Sequence, residues 1–301
     1  MITLFQKNNL LDLLYLKGYD MKKRVLITGS SGYIGSHLQK MLQEKYEVYC
    51  LDIVEPKIDT VNFKNVDIRV AMQSNDEFDC IIHLAALVNV GESVHFPTDY
   101  YTTNVRGTIN LIHGIKTKNF IFASTGAAVE MQSPYGISKR MAEHCVSEFC
   151  SKTDTPYTIF RFYNVIGSDG IDPTNKDGLF YNLINAMNTG SFTVFGNDYN
   201  TPDGTCIRDY VHVLEVCNAI ELAIENPSNS IENLGHGKGT SVTEIVTCFK
   251  NVNNVDFAIN YGSRREGDIE VSVLSNPSSY MKQLYSIEEL LKVDNKLESV
   301  L

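Results

Sequence analysis

Short apolar runs alternate with longer amphipathic segments through the first half of the chain. The apolar runs predict buried strands at 24–28, 47–52, 80–85, 120–124 and 157–162, and the segments between them predict helices at 35–45, 103–116 and 135–151. Pro134 stands at the start of the last helix, where a missing N–H costs nothing. This alternation predicts an α/β fold with a doubly wound parallel sheet covered on both faces.

The pattern changes beyond Asn164, where Gly, Asp, Asn and Pro become frequent and the elements shorten. The segment 211–234 is an exception, since it predicts a helix and a strand that return to the first sheet. We therefore predict a larger domain at 21–164 plus about 211–235, a smaller one at about 165–210 plus 236–301, and an N-terminal extension of unknown role at 1–20. The extension lacks the basic start and the cleavage site of a signal peptide. We therefore expect either that the natural start residue is Met21 or that residues 1–20 form an additional surface helix.

Composition narrows the class of protein. The 301 residues are 43% hydrophobic and 21% charged, which is typical of a soluble globular protein. A net charge of −10 argues against a nucleic-acid surface, and no apolar run approaches the roughly 20 residues of a membrane span. Seven cysteines, an odd number, predict buried free thiols in a reducing compartment, here the cytoplasm. No cluster of His, Cys or carboxylates has the spacing of a metal site.

A glycine triplet follows the first predicted strand and opens the first helix. Gly29, Gly32 and Gly35 stand where a Rossmann-type fold receives a pyrophosphate on the backbone N–H groups of a helix N-terminus. Asp52 ends the second strand, 17 residues after Gly35. Its carboxylate is suited to an adenosine ribose and would repel a 2′-phosphate, which predicts NAD rather than NADP. The alternatives are an ordinary strand–helix turn and a solvated strand-end carboxylate.

Tyr135 and Lys139 lie four residues apart on a predicted helix and therefore share one face. A free phenol has a pKa of about 10, so Tyr135 becomes a base near neutral pH only if a positive charge lowers that value. Lys139 provides such a charge, and a bound nicotinamide cation would act in the same direction. Thr125, with Ser124 at the end of a strand, would hydrogen-bond the reacting hydroxyl. This set predicts hydride transfer at a carbinol carbon. The alternatives are a packing tyrosine and a hydroxyl that caps backbone.

With these residues in place, the chain resembles the extended short-chain dehydrogenase/reductase superfamily and, within it, the UDP-glucose (UDP-galactose) 4-epimerases. The resemblance extends from about Met21 to beyond Asn276. Its most specific stretches are 32–37, 90–94, 195–199, 203–205, 208–213 and 264–268.

The resemblance implies a reaction and a set of contacts. Tyr135, helped by Thr125, would take the proton of the sugar 4-hydroxyl while NAD accepts the C4 hydride. The 4-keto sugar would then turn over and regain both on its other face. The implied cofactor-binding residues are Gly29, Gly32, Tyr33, Ile34, Gly35, Asp52, Asp67, Ile68, Leu84, Ala85, Ala86, Asn104, Tyr135, Lys139 and Phe162. The implied substrate-binding residues, which would hold a UDP-sugar, are Ser124, Thr125, Asn164, Phe195, Arg208, Arg265, Asp268 and Ser272.

Several positions depart from the family pattern. Only nine residues separate Thr125 from Tyr135, Val88 replaces a cofactor-contacting lysine, and Gly178-Leu179 replaces paired asparagines. Ser272 occupies the position that resembles a gate to the hexose pocket, and its small side chain predicts that UDP-GlcNAc and UDP-GalNAc are accepted as well.

Two other functions stay open. A 4,6-dehydratase or reductase has the same fold, although the dehydratases carry an Asp-Glu pair where this chain has Gly126-Ala127 after Thr125. A non-catalytic NAD-binding protein would also keep the fold. The resemblance further implies a homodimer, paired through the helix that carries Tyr135 and the helix at 103–116.

Overall fold

The computed structural model describes residues 22–56, 58–60, 62–171, 173, 176, 178–265 and 267–293. The predicted extension at 1–20 and the alternative start at Met21 lie outside the described residues. The strands are β1 (Arg24–Thr28), β2 (Glu47–Asp52), β3 (Phe63–Asn65), β4 (Glu77–Phe78), β5 (Cys80–His83), β6 (Lys116–Thr117), β7 (Phe120–Thr125), β8 (Tyr157–Phe162), β9 (Asn164–Ile166), β10 (Ser191–Phe195), β11 (Ile207–His212), β12 (Asn229–Leu234), β13 (Gly239–Ser241), β14 (Ala258–Gly262) and β15 (Val271–Ser272).

Each of the three predicted helices corresponds to a helical segment whose bounds differ from the prediction by one to three residues. They are α1 (Tyr33–Leu42), α2 (Val90–His95), α3 (Pro97–Tyr100), α4 (Gly107–Gly114), α5 (Ala127–Glu130), α6 (Pro134–Lys152), α7 (Leu179–Thr189), α8 (Val213–Glu225), α9 (Val242–Asn253) and α10 (Ile287–Leu291), with a π-helical turn at Tyr101–Arg106. The helix predicted at 103–116 is therefore wrong in its detail. It begins as the π-helical turn and ends at Gly114, because Lys116 and Thr117 pair with β4.

Seven parallel strands form the central sheet in the order β12-β8-β7-β5-β1-β2-β3. Strand residues alternate between its two faces. Val25 and Ile27 pack into one core with residues of α1 and α8, whereas Leu26 packs into a second core with residues of α4 and α6. A sheet buried on both faces by crossover helices is the doubly wound arrangement.

The segment 211–234 returns to the central sheet as predicted. Helix α8 contributes buried residues to the first core, and β12 pairs with β8 at the sheet edge. The other late elements build a separate core around Phe180, Phe249 and Phe257. A small sheet, in which β11 pairs with β9, β13 and β15, connects the two regions. The division into two domains stays a prediction that this placement supports.

The structure also describes the state of the cysteines and the character of the helices. All seven cysteines are free thiols, and Cys50, Cys80 and Cys217 are fully buried. Among the helices that the structure describes, none has the length and apolar character needed to cross a membrane.

Candidate active site

The glycine loop lies between the carboxyl ends of β1 and β5. Gly29 has φ = 73°, in the left-handed region that favours glycine, and a Cβ there would lie 2.6 Å from the backbone nitrogen of Ala85. A Cβ on Gly35 would lie 2.2 Å from the carbonyl oxygen of Gly29. Both positions therefore require glycine so that loop, helix and neighbouring strand end can approach closely.

Helix α1 begins at Tyr33 with an open N-terminus. Gly32 is its N-cap residue, and no side chain caps the first turn. The first backbone N–H groups of a helix have no partner inside it, and with the helix dipole they attract an anion. The loop and the N-terminus of α1 line the same cavity, so they fit the pyrophosphate of a dinucleotide.

Asp52 forms the wall of the cavity beside this loop. One carboxylate oxygen accepts the N–H of Ser31 at 2.9 Å, and the other accepts the N–H of Ile53 at 2.7 Å and of Val54 at 3.1 Å. These bonds fix the carboxylate at the end of β2, where a ribose of the dinucleotide would lie. Asp67, also in the lining, is paired with Arg69 at 2.6 Å, and this guanidinium lowers the pKa of Asp67.

Tyr135 and Lys139 lie on the first turns of α6, above the end of β7. Ser133 caps this helix by accepting the N–H of Gly136 at 3.2 Å, and Pro134 occupies its first turn. Both side chains line the cavity, and both are nearly buried, with 9% of Tyr135 and 3% of Lys139 exposed. The Lys139 ammonium lies 4.3 Å from the centre of the Phe122 ring, which is favourable for a cation.

Burial has the largest effect on the pKa values of both Tyr135 and Lys139. Burial raises the pKa of Tyr135 to about 12, and a hydrogen bond with Thr125 opposes that shift. Burial also lowers the pKa of Lys139 to about 7, against the charge of Glu143. Removal of both side chains from water therefore dominates both pKa values, and the expectation that Lys139 favours the Tyr135 phenolate stays a prediction.

A buried carboxylate supports this helix from behind. Glu143, 2% exposed, accepts the Ser124 hydroxyl at 2.5 Å and Arg161 nitrogens at 2.8 and 2.6 Å. It also accepts an Arg140 nitrogen at 3.0 Å. Burial by itself raises the pKa of Glu143, but the hydrogen bonds from Arg161, Ser124 and Arg140 and the Arg161 charge together lower it below its usual value. Glu143 therefore stays ionised and connects α6 to β7 and β8.

The far end of the cavity is basic and aromatic. The Arg208 guanidinium lies 3.5 Å from the Asp268 carboxylate, and the Arg265 guanidinium lies 4.2 Å from the centre of the Phe195 ring. Asn164 donates a hydrogen bond to the Asp209 carbonyl at 3.0 Å, which fixes it at the start of β9. Two guanidinium groups beside an aromatic ring and a carboxylate suit a nucleoside diphosphate.

These groups line one cavity of about 1780 Å³, which extends from the glycine loop to Arg265. Most of the predicted site residues lie on its wall. They are Gly29, Gly32, Tyr33, Ile34, Gly35, Asp52, Asp67, Ile68, Leu84, Ala85, Ala86, Ser124, Thr125, Tyr135, Lys139, Phe162, Asn164, Phe195, Arg208, Arg265 and Asp268.

Two predicted residues do not line the cavity. Asn104 is buried behind it, where its side chain bonds the backbone N–H and carbonyl of Leu87 at 2.8 and 3.0 Å and the Ser138 hydroxyl at 3.0 Å. Asn104 thus orients the cavity wall rather than facing its interior. Ser272 lies on β15 opposite Arg208, half-buried and outside the lining.

Sequence reasoning missed Glu143 and its partner Arg161. A signal for Glu143 exists, since Tyr135, Lys139 and Glu143 recur every four residues on one helix face. No comparable signal marks Arg161, whose role depends on the pairing of β7 with β8.

Comparison with known proteins agrees with this geometry. The model of the NAD dependent epimerase/dehydratase family matches residues 25–235. UDP-glucose 4-epimerase of Haemophilus influenzae is 33% identical, and the match covers 88% of this chain and 93% of that protein's length. UDP-arabinose 4-epimerase 1 of Arabidopsis thaliana is 32% identical, and the match covers 86% of this chain and 74% of that protein's length. The crystal structure of UDP-glucose 4-epimerase from Brucella ovis in complex with NAD has a TM-score of 0.78 and 27% identity, covering 89% of this chain and 96% of that one. The predicted Rossmann-type fold and superfamily are confirmed.

Proposed function

The chain belongs to the NAD dependent epimerase/dehydratase family, and on that basis we propose that it is a nucleotide-sugar 4-epimerase that interconverts UDP-glucose and UDP-galactose. The observation that carries the proposal is the position of Tyr135. Its side chain lies on the wall of the same cavity as an open helix N-terminus and the Arg208–Asp268 pair.

Each part of the cavity has a role in this reaction. The first turn of α1 would receive the pyrophosphate of NAD, and Asp52 would accept hydrogen bonds from a ribose and disfavour a 2′-phosphate. Arg208 and Arg265 bind the diphosphate of the UDP-sugar, while Asp268 accepts ribose hydroxyls. This arrangement directs the sugar toward Tyr135 and anchors it by its nucleotide, so that the hexose is free to turn.

Proton transfer is the task of Tyr135 and Thr125. When bound, NAD supplies the hydride acceptor and donor for C4, and a positive charge that favours the Tyr135 phenolate. Tyr135 removes the proton of the 4-hydroxyl, Thr125 orients that hydroxyl, and Lys139 stabilises the phenolate. After the 4-keto sugar has turned, Tyr135 returns the proton to the opposite face.

The proposal is tested by the products formed from separate UDP-sugars. Purified protein with NAD is incubated with UDP-glucose, UDP-galactose, UDP-GlcNAc, UDP-GalNAc or UDP-arabinose, and products are separated by chromatography. The pentose is included because a relative is a UDP-arabinose 4-epimerase. Tyr135→Phe should lower the rate at least about 100-fold while UDP binding stays close to normal, since only the proton acceptor is lost.

The same assay separates the alternatives. A 4,6-dehydratase would yield a 4-keto-6-deoxy sugar, for which the connection after Thr125 offers Gly126-Ala127 in place of an acid–base pair. A non-catalytic binder would bind NAD and UDP-sugar and leave both unchanged, which would refute the proposal. We also propose a cytoplasmic homodimer paired through α6 and α4. Analytical ultracentrifugation that gives a monomer at micromolar concentration would contradict the homodimer.

A further inference from the structure

A carboxylate that no part of the reaction uses directly lies one helical turn beyond Lys139. Glu143 is 2% exposed, and residues four apart on a helix lie about 5–6 Å apart at their Cβ atoms. Tyr135, Lys139 and Glu143 thus form a buried row on α6 that begins at the cavity and ends in the protein interior. Buried carboxylates are costly unless they are paired, and Glu143 is paired with Arg161 at 2.6 Å.

We propose that Glu143 is a positioning residue for the epimerase reaction, which keeps Lys139 protonated so that Lys139 remains a cation beside Tyr135. This inference rests on the proposed function. Lys139 is nearly buried, and its ammonium group lies 4.3 Å from the centre of the Phe122 ring. Burial alone favours the neutral amine, and the negative charge of Glu143 opposes that effect.

Two other titratable groups face this row from neighbouring elements. His83 on β5 is buried, bonded to Thr28 at 2.7 Å and Thr108 at 2.9 Å, and the Lys139 charge helps keep it neutral. Tyr100 lies edge-on to Tyr135 and bonds Glu92 at 2.8 Å. Neither His83 nor Tyr100 brings a negative charge to Lys139, whereas Glu143 lies one helical turn away on the same helix.

Two arginines hold Glu143 ionised and in place. Arg161 donates to its carboxylate from β8, Arg140 donates from the same helix, and the Ser124 hydroxyl donates from β7. Removal of the Glu143 charge would therefore leave both arginines without their shared carboxylate, and Lys139 without the negative charge that opposes the effect of burial. The Ser124 hydrogen bond also connects Glu143 to the strand end that carries Thr125.

The direct test is the titration of Lys139, which does not depend on activity. Protein labelled with isotopic nitrogen in lysine is followed by NMR against pH, and the Lys139 signal is assigned through its loss in Lys139→Met. In Glu143→Gln the midpoint of Lys139 should fall by about one pH unit, because a nearby negative charge is removed. Glu143→Asp should restore most of the shift. Glu148→Gln, an exposed change on the same helix, should leave the midpoint unchanged.

The second readout is the pH profile of epimerase turnover. The alkaline limb, where Lys139 loses its proton, should move to lower pH in Glu143→Gln. If Glu143→Gln does not fold, Arg140→Gln serves instead, because Arg140 is one-third exposed. Loss of the Arg140 charge leaves the Glu143 carboxylate less compensated, so the midpoint of the Lys139 titration should move upward. An unmoved Lys139 midpoint in the folded variants overturns the inference. An inactive wild-type protein with a displaced Lys139 midpoint would refute the proposed function alone.

Discussion

Thr125 offers the sharpest test of the proton-transfer geometry. Thr125→Val keeps the shape of the side chain and removes only its hydroxyl, which hydrogen-bonds Tyr135 and accepts the Ala127 N–H at 3.3 Å. A hydrogen bond to a charged group contributes about 1.5–3 kcal/mol, and each 1.36 kcal/mol is a factor of ten in rate. The variant should therefore turn over UDP-galactose about 10- to 150-fold more slowly.

The pH profile of this variant has a defined sign. The Thr125 hydrogen bond lowers the pKa of Tyr135, so its loss raises that pKa, and a higher pH is then needed to form the base. The acid limb of the turnover profile should move to higher pH in Thr125→Val and stay in place in Thr125→Ser, which keeps the hydroxyl. A rate within a factor of about three of wild type, with an unmoved acid limb, would refute a direct role of Thr125.

Two further predictions address specificity. Asp52→Asn keeps an oxygen for the Ser31 N–H but removes the charge that disfavours a 2′-phosphate. Calorimetry should therefore find the preference for NAD over NADP reduced by roughly tenfold. An unchanged preference would contradict the role of Asp52. Ser272 is paired with Arg208 across neighbouring strands, and paired residues project to the same face of a sheet. A larger side chain at position 272 would therefore extend toward the cavity. We expect the native protein to convert UDP-GlcNAc. The variant Ser272→Tyr should lose this activity while its UDP-galactose turnover persists. Equal UDP-GlcNAc rates in both proteins would exclude a gating role for Ser272.

The sequence predicts local elements of this molecule well where a short-range signal exists. Strands β1, β2 and β8 begin and end where their apolar runs do, and the Ser133-Pro134 pair marks the start of α6. The end of the helix at 103–116 was missed because it is set by the pairing of β4 with β6, a contact between residues distant in the chain.

The candidate site shows the same division between local and distant causes. The Gly29–Gly35 loop and the Tyr135–Lys139 pair are visible because their residues are close in sequence. The burial that raises the pKa of Tyr135 and lowers that of Lys139 is invisible, since it arises from elements packed around the finished helix. The placement of Asn104 behind Leu87, instead of in the cavity, depends likewise on tertiary hydrogen bonds.

The order of strands in the central sheet has a consequence for synthesis on the ribosome. The edge next to β8 is closed by β12, whose residues are made about seventy positions later, after the chain has left to build β9, β10 and β11. Until Leu234 has emerged, a nascent chain presents the unpaired backbone of β8 and one apolar face that α8 will cover. Chains released before that point are expected to aggregate or recruit chaperones, because the central sheet cannot be completed until β12 has been made.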